Sequence, residues 1–196
     1  YKPIKLINPL SKDMKYLRNS LLPGLLRAIS FNEKRELRIV KIFELGNING
    51  YNSSNYNKAM QYKSLMLVWM GNKIMNWNHS EYQDIYSIKG QINHMFDMLR
   101  IKEFNFKLYK NNILNMFIGK NKIGYLEELN SVIKNKFDII SPVYVCSINL
   151  DLLGKYYSSS NIDYTKVNSF PSITRDISIL IKKKYSNEEI ENIIYK

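Results

Sequence analysis

Leu21, Leu22, Leu25, Leu26 and Ile29 recur at the three- and four-residue spacing of one helix face. Ser20 stands where it can cap that helix, Pro23 falls in a first turn that tolerates it, and fraying is expected near Asn32. Ahead of it, Ile4 to Ile7 reads as a short strand ended at Asn8–Pro9, since a proline disfavours helical geometry in the residue before it. Leu37 to Leu45 alternates and reads as a strand stopping at Gly46, with Asn47 to Asn57 a polar loop. Leu65 to Met70 is a continuous apolar run, the pattern of a strand buried on both faces, and Asn72 to Ser80 reads as another loop.

A second helix is expected over Tyr82 to Arg100, with Ile85, Ile88, Ile92, Met95 and Leu99 as its stripe. Strand patterns follow at Phe104–Leu108, Ile113–Ile118 and Lys122–Leu126, with a hairpin turn at Gly119-Lys-Asn between the last two. A third helix is expected over Glu127 to Phe137, where the paired acids would suit the dipole of a first turn. Val143 to Leu150 reads as a strand, and Lys155 to Asn161 as a linker. A strand at Ile173 to Lys182 and a helix from Ser186, with Ser186 and Glu189 as a capping box, close the chain. Helices early and hairpins in the middle predict a mixed or antiparallel sheet with helices packed on it.

Composition adds a basic balance. Twenty-nine Lys and Arg against 17 Asp and Glu give a net charge of +12, which favours polyanions such as RNA. An AT-rich coding bias would enrich the same Lys, Asn, Ile and Tyr, so charge alone does not choose a partner. The single cysteine, Cys146, excludes an internal disulfide and sits in an apolar run as a small hydrophobe. No apolar run reaches the length of about 20 residues that a membrane-crossing helix needs, and no signal peptide opens the chain. A cytoplasmic location is therefore expected.

No P-loop, G-x-G-x-x-G, H-E-x-x-H or paired C-x-x-C occurs. His79 lies in a polar loop and His94 inside the second helix, neither with a ligand at metal-binding spacing. Asp84 and Asp97 are not spaced to work as a pair. Lys182-Lys183-Lys184-Tyr185 sets three cations beside a ring, a group that could touch phosphates and stack on a base, or form an ordinary solvated turn.

Asn8-Pro9-Leu-Ser followed by Leu17-Arg18-Asn-Ser20-Leu-Leu-Pro23-Gly24-Leu-Leu26 resembles the N-P-L-S and L-R-T-S-L-L-P-G-L-L blocks of the bacterial phenylalanine–tRNA ligase β subunit, with Asn19 in place of Thr. Further blocks follow in that family's order. Val40-Lys-Ile-Phe43-Glu44-Leu-Gly46-Asn-Ile48 is similar to its F-E-(I/L)-G strand. Ile85-Tyr-Ser-Ile-Lys89-Gly90 is similar to its F-F-D-L-K-G helix start, with Ser87 where Asp is usual. Ile123 to Leu129 resembles its I-G-x-L-G-E-L turn with Glu127 replacing a glycine, and Phe170 to Leu180, containing Arg175, resembles its F-P-x-x-x-R-D-L segment. The resemblance covers nearly the whole chain, which corresponds to the late part of such a subunit.

The resemblance implies an α/β (α+β) fold. Residues 1–165 would be a class II aminoacyl-tRNA synthetase-like core, a mixed antiparallel sheet with flanking helices. Residues 166–196 would begin a ferredoxin-like anticodon-binding domain. It implies a share in joining phenylalanine to tRNA(Phe), with the chemistry on an α subunit in an α2β2 assembly and no membrane involved. ATP and Mg2+ are implied for the whole enzyme, and no cofactor for this segment. Active class II enzymes hold ATP with an arginine on a second-motif strand and another in a third motif, because negative charge concentrates at the α-phosphate in the transition state. Here the corresponding strand, Ile42 to Gly46, has no arginine in register, so the segment is expected to be non-catalytic. RNA contact would fall to Arg175, Lys182, Lys183 and Lys184. The alternatives are a stand-alone synthetase-like RNA-binding or regulatory module, and an unrelated enzyme with a dispersed site.

Overall fold

A computed structural model of the chain describes residues 2–12, 14–52, 55–75, 80–101, 104–110, 112–157, 170–171, 173–182, 185 and 187–194. The chain divides into two compact units, residues 1–160 and 161–196. The first contains α1 (Leu22–Glu33), β1 (Val40–Asn52), β2 (Asn55–Met70), β3 (Asn72–Met75), β4 (Ser80–Tyr82), α2 (Ile85–Met98), β5 (Phe104–Lys110), β6 (Ile113–Ile118), β7 (Asn121–Glu128), α3 (Ser131–Asn135), β8 (Val143–Asn149) and α4 (Leu150–Leu153). The second contains α5 (Asn187–Ile194).

Six strands form one sheet in the order β1-β2-β8-β7-β6-β5, and β3 pairs with β4 in a separate ribbon. Every pairing in the large sheet is antiparallel. Of the mixed or antiparallel sheet expected, the antiparallel form is the one present. β1–β2 and β5–β6–β7 are hairpin-connected, and β8 enters between the two sets antiparallel to both.

The alternation of β8 shows why this sheet has two cores. Val143 and Val145 join one cluster with Leu25, Leu26 and Ile29 of α1. Tyr144, Cys146 and Ile148, on the opposite side, join another with Ile88, Ile92 and Phe96 of α2. β2 divides likewise: Met66, Val68 and Met70 face α1, while Leu65, Leu67 and Trp69 face α2. A strand with helices on both faces must be apolar at successive positions, which is the Leu65–Met70 pattern. Each fully buried Leu or Ile contributes about 1.5–3 kcal/mol. Leu26 and Ile29 have no exposed surface.

Several boundaries differ from expectation. Ile4–Ile7 is not a strand. Isolated bridges hold this segment, from Lys2 to Tyr51 and from Lys5 to Tyr16. α1 begins at Leu22 rather than Ser20, with the Ser20 hydroxyl accepting from the Leu22 N–H at 3.1 Å. The polar stretch Asn47–Asn57 is not a loop: β1 runs through it to Asn52 and β2 starts at Asn55. β8 pairs with β2 only from Ser64 onward, so the outer part of the β1–β2 hairpin lies beyond the sheet's third strand. Such a ribbon needs no apolar alternation, and its composition reports solvent rather than conformation. β3 likewise falls within the expected Asn72–Ser80 loop, and β4 starts at its last residue.

The expected helix over 127–137 is corrected too. Glu127 and Glu128 end β7, and α3 starts only after Asn130, whose side chain accepts from the Ile133 N–H at 3.0 Å. α2 starts after Asp84, whose carboxylate caps it by accepting from the Ser87 N–H at 2.6 Å. The strand expected at Ile173–Lys182 is absent. A strand exists through pairing, and the described residues there have no partner strand. Ile173, Ile177 and Leu180 are exposed. The capping box rests on Ser186, which lies outside the described residues.

Candidate functional site

The motif residues near the first helix converge on the α1 face of the sheet. The segment before α1 is fastened to the structure by backbone bonds, among them Leu17 N–H to the Ile4 carbonyl at 2.9 Å and Asn49 N–H to the Arg18 carbonyl at 2.8 Å. That places the Arg18 side chain across β1. Its Nη1 donates to the Glu44 carboxylate at 2.8 Å and its Nε to the Asn47 carbonyl at 2.8 Å. Gly46 lies beneath the guanidinium, where a Cβ would overlap Arg18 Nη2. The absent side chain lets the guanidinium lie against the strand, and the pairing of an L-R block with an F-E-L-G block is a physical contact between them. Arg18, Ser20, Pro23, Gly24 and Glu44, with Arg27, line one cavity of about 480 Å³ at the N-terminal end of α1.

The strand registers extend this face across the sheet. Glu44 pairs with Met66, Met66 with Ser147, Ser147 with Tyr125, Tyr125 with Asn115, and Asn115 with Lys107. Directly paired residues share a face, so a largely polar row crosses the sheet on the α1 side. Glu127, two residues beyond Tyr125, has the same orientation. Burial pushes the Glu127 carboxyl above its ordinary value. Burial, followed by the Glu127 and Cys146 charges, pushes the Tyr125 phenol up to about 12. Asn115 is buried, and its side-chain oxygen has no partner. Sequence reasoning missed this row. The signal was the spacing of Tyr125 and Glu127 within β7, which a helix assignment at Glu127 hid.

Other expected residues fall elsewhere. Phe43 points to the opposite sheet face and is 67% exposed. Asn8 and Pro9 are exposed in the opening segment. Lys89 and Gly90 lie on α2, with Lys89 Nζ 5.4 Å from the centre of the Phe106 ring. Arg175 and Lys182 are exposed in the second unit, outside any helix or strand, while Lys183 and Lys184 lie outside the described residues. His94 is exposed on α2, and His79 lies outside the described residues.

A triphosphate requires converging cations. On this face Arg18 is engaged by Glu44 and Asn47, β1 and β2 contain no arginine, and the strands present Glu44 and Glu127, with Lys107 at the far end of the row and Arg27 at the cavity. Among the described residues, no three His, Cys, Asp or Glu side chains stand together as a metal site.

Comparison with known proteins places this geometry. Residues 1–150 match the family model described as the phenylalanyl tRNA synthetase beta chain CLM domain. The phenylalanine–tRNA ligase beta subunit of Campylobacter jejuni strain RM1221 is 32% identical over 197 residues, 97% of this chain and 24% of that protein. The beta subunit of Carboxydothermus hydrogenoformans is 29% identical over 191 residues, 93% of this chain and 24% of that protein. The chain thus spans about a quarter of the length of these curated relatives. Among solved structures, pyrrolysyl-tRNA synthetase from Desulfitobacterium hafniense superimposes with a TM-score of 0.57 at 16% identity, over 78% of this chain and 52% of that one, a likeness of fold alone. With a synthetase-like sheet, the Arg18–Glu44–Gly46 contact and a family match over residues 1–150, the chain belongs to the family of phenylalanyl-tRNA synthetase beta chain CLM domains.

Proposed function

We propose that this chain is the synthetase-like core part of a phenylalanine–tRNA ligase β subunit, serving ATP-dependent attachment of phenylalanine to tRNA(Phe) by assembly and not by catalysis. The carrying observation is the α1 face of β1. Where an active enzyme would present an arginine to ATP, this strand presents Glu44, already paired with Arg18. ATP and Mg2+ belong, on this reading, to the catalytic α subunit of a cytoplasmic α2β2 enzyme. The reverse face supplies a surface for subunit packing. Phe43 and Leu45 are exposed there, with Leu65 and Leu67 half-buried beside them, and contiguous apolar surface of this kind marks interfaces.

Residues 166–196 are assigned to the start of a ferredoxin-like anticodon-binding domain, with Arg175 and Lys182–Lys184 facing tRNA phosphates. The exposed apolar residues of that segment support this reading, because one extended segment and one helix cannot bury their own apolar side.

Phenylalanine-dependent ATP–pyrophosphate exchange tests the proposal. The chain alone is expected to give none, and to co-elute with the α subunit. Phe43→Asp combined with Leu45→Asp is expected to abolish co-elution without unfolding the chain. Exchange above background by the chain alone would overturn the non-catalytic assignment.

A further inference from the structure

The six-stranded sheet has two edges, formed by β1 and β5. The opening segment lies along the first: the Asn49 N–H donates to the Arg18 carbonyl at 2.8 Å and the Tyr51 N–H to the Lys2 carbonyl at 2.9 Å. Among the described residues, β5 makes no backbone bond on the side away from β6. Alternate residues of an edge strand turn their N–H and C=O groups outward. Phe104–Leu108, paired in regular register with β6, therefore presents an open ladder. Leu108 and Tyr109 are 69% and 62% exposed, so the far end of the strand is open to solvent.

The two faces of β5 differ in chemistry. Phe104 and Phe106 lie on the α2 side, where Phe104 stacks on Phe96 at 3.9 Å between ring centres and meets Phe106 edge-on at 4.9 Å. Leu108, on the same side as its partner Leu114, continues that row out to solvent. On the α1 side stands Lys107, its Nζ 5.4 Å from the centre of the Phe117 ring. Where the register shifts at Tyr109, the Lys110 and Lys122 ammonium groups lie 5.5 and 5.9 Å from the Tyr109 ring centre. Among the described residues none of these three lysines is ion-paired. β5 and β6 contain no carboxylate, and Glu127 and Glu128, which share a cavity with Lys110, belong to β7, two strands in from the edge. The edge thus joins apolar residues on one face, cations on the other, and unpaired backbone between them.

We propose that β5 docks an extended acidic peptide segment, added as a seventh strand with its apolar residues over Phe106 and Leu108 and its carboxylates against Lys107 and Lys110. In such an addition the main-chain bonds supply affinity and alternate side chains supply specificity. Charge selects the occupant. A second copy pairing antiparallel about the midpoint of β5 would set Lys107 against Lys107, and like charges directly opposite destabilise a pair. A nucleic acid would meet the lysines and Tyr109 but leave the ladder and Leu108 unused. The lysines keep copies of this chain off the edge and leave it open to a strand of opposite sign. The inference does not depend on the tRNA or ATP readings above.

The test is NMR titration of the full chain with four probes: the capped peptides Glu-Val-Glu-Val-Glu-Val, Lys-Val-Lys-Val-Lys-Val and Glu-Glu-Glu-Val-Val-Val, and a uridine hexanucleotide. The backbone signals of Phe104 to Leu108 are followed, together with hydrogen exchange at the same amides. The alternating acidic peptide should give saturable shifts and slow exchange at every second residue of the strand. The block peptide of equal composition should bind at least about tenfold more weakly, and the basic peptide and the oligonucleotide should protect none of these amides. Lys107→Glu combined with Lys110→Glu should reverse the preference between the alternating acidic and basic peptides, with little change in Tm because both lysines are exposed. No saturable shift with the alternating acidic peptide, equal affinity for the block peptide, protection by the oligonucleotide, or an unreversed preference in the folded variant would overturn the proposal. The titration of the unaltered chain decides the point even if the variant is poorly folded.

Discussion

Gly46 and Gly90 both fall in motif blocks, yet their surroundings assign them different roles. Gly46 has the Arg18 guanidinium against it, while nothing lies within 4 Å of a Cβ built at Gly90. Gly46→Ala should therefore cost only about 0.5–1 kcal/mol, because the atoms it meets are the end of a flexible, half-exposed side chain that can swing aside at the loss of its surface ion pair. Gly90→Ala should stabilise by about 0.5–1 kcal/mol, because the glycine sits inside α2. Denaturant unfolding of both variants checks the signs. Arg18→Ala should cost little alone, since both partners of its ion pair are partly exposed. Combined with Gly46→Ala it should recover most of the Gly46→Ala loss, and strict additivity in that double-mutant cycle would refute the contact.

At the scale of elements, Glu33 links the end of α1 to the segment before β8. Burial alone would raise its carboxyl, but hydrogen bonds from Ser141 and Ile140 and the Lys134 charge together hold it below the ordinary 4.5. A lowered folded-state pKa contributes stability above the unfolded value and loses it as pH falls through the folded one. Glu33→Gln should therefore flatten the decline in Tm below about pH 4.5 relative to the unaltered chain. Equal declines would exclude this role.

The elements also show what was legible beforehand. α1, α2, the Leu65–Met70 run and β8 were legible because burial imposes a period on Leu25, Leu26, Ile29, Ile88, Ile92, Val143 and Val145. The Arg18–Glu44 neighbourhood was flagged by its motif residues, but the contact itself joins positions far apart in the chain and leaves no local trace. The outer β1–β2 hairpin and the end of β7 were not legible. The first carries few apolar residues beyond the paired Ile48 and Tyr62, and the second depends on Asn130 rather than Glu127 as the cap.

For the whole molecule, the order of strands carries the last consequence. β1–β2 and β5–β6–β7 are each neighbours in sequence, but they meet only through β8, whose residues 143–149 come after all of them. On the ribosome, two half-sheets therefore wait with open inner edges until that final strand is made. Pairing across such sequence distance is slow, and open edges invite other chains. A chain ending at Pro142 should accumulate as aggregate, and refolding of the complete chain should grow less efficient as protein concentration rises. Light scattering during refolding measures both. The strand that gives the sheet its two cores is also the one that decides when the protein stops being sticky.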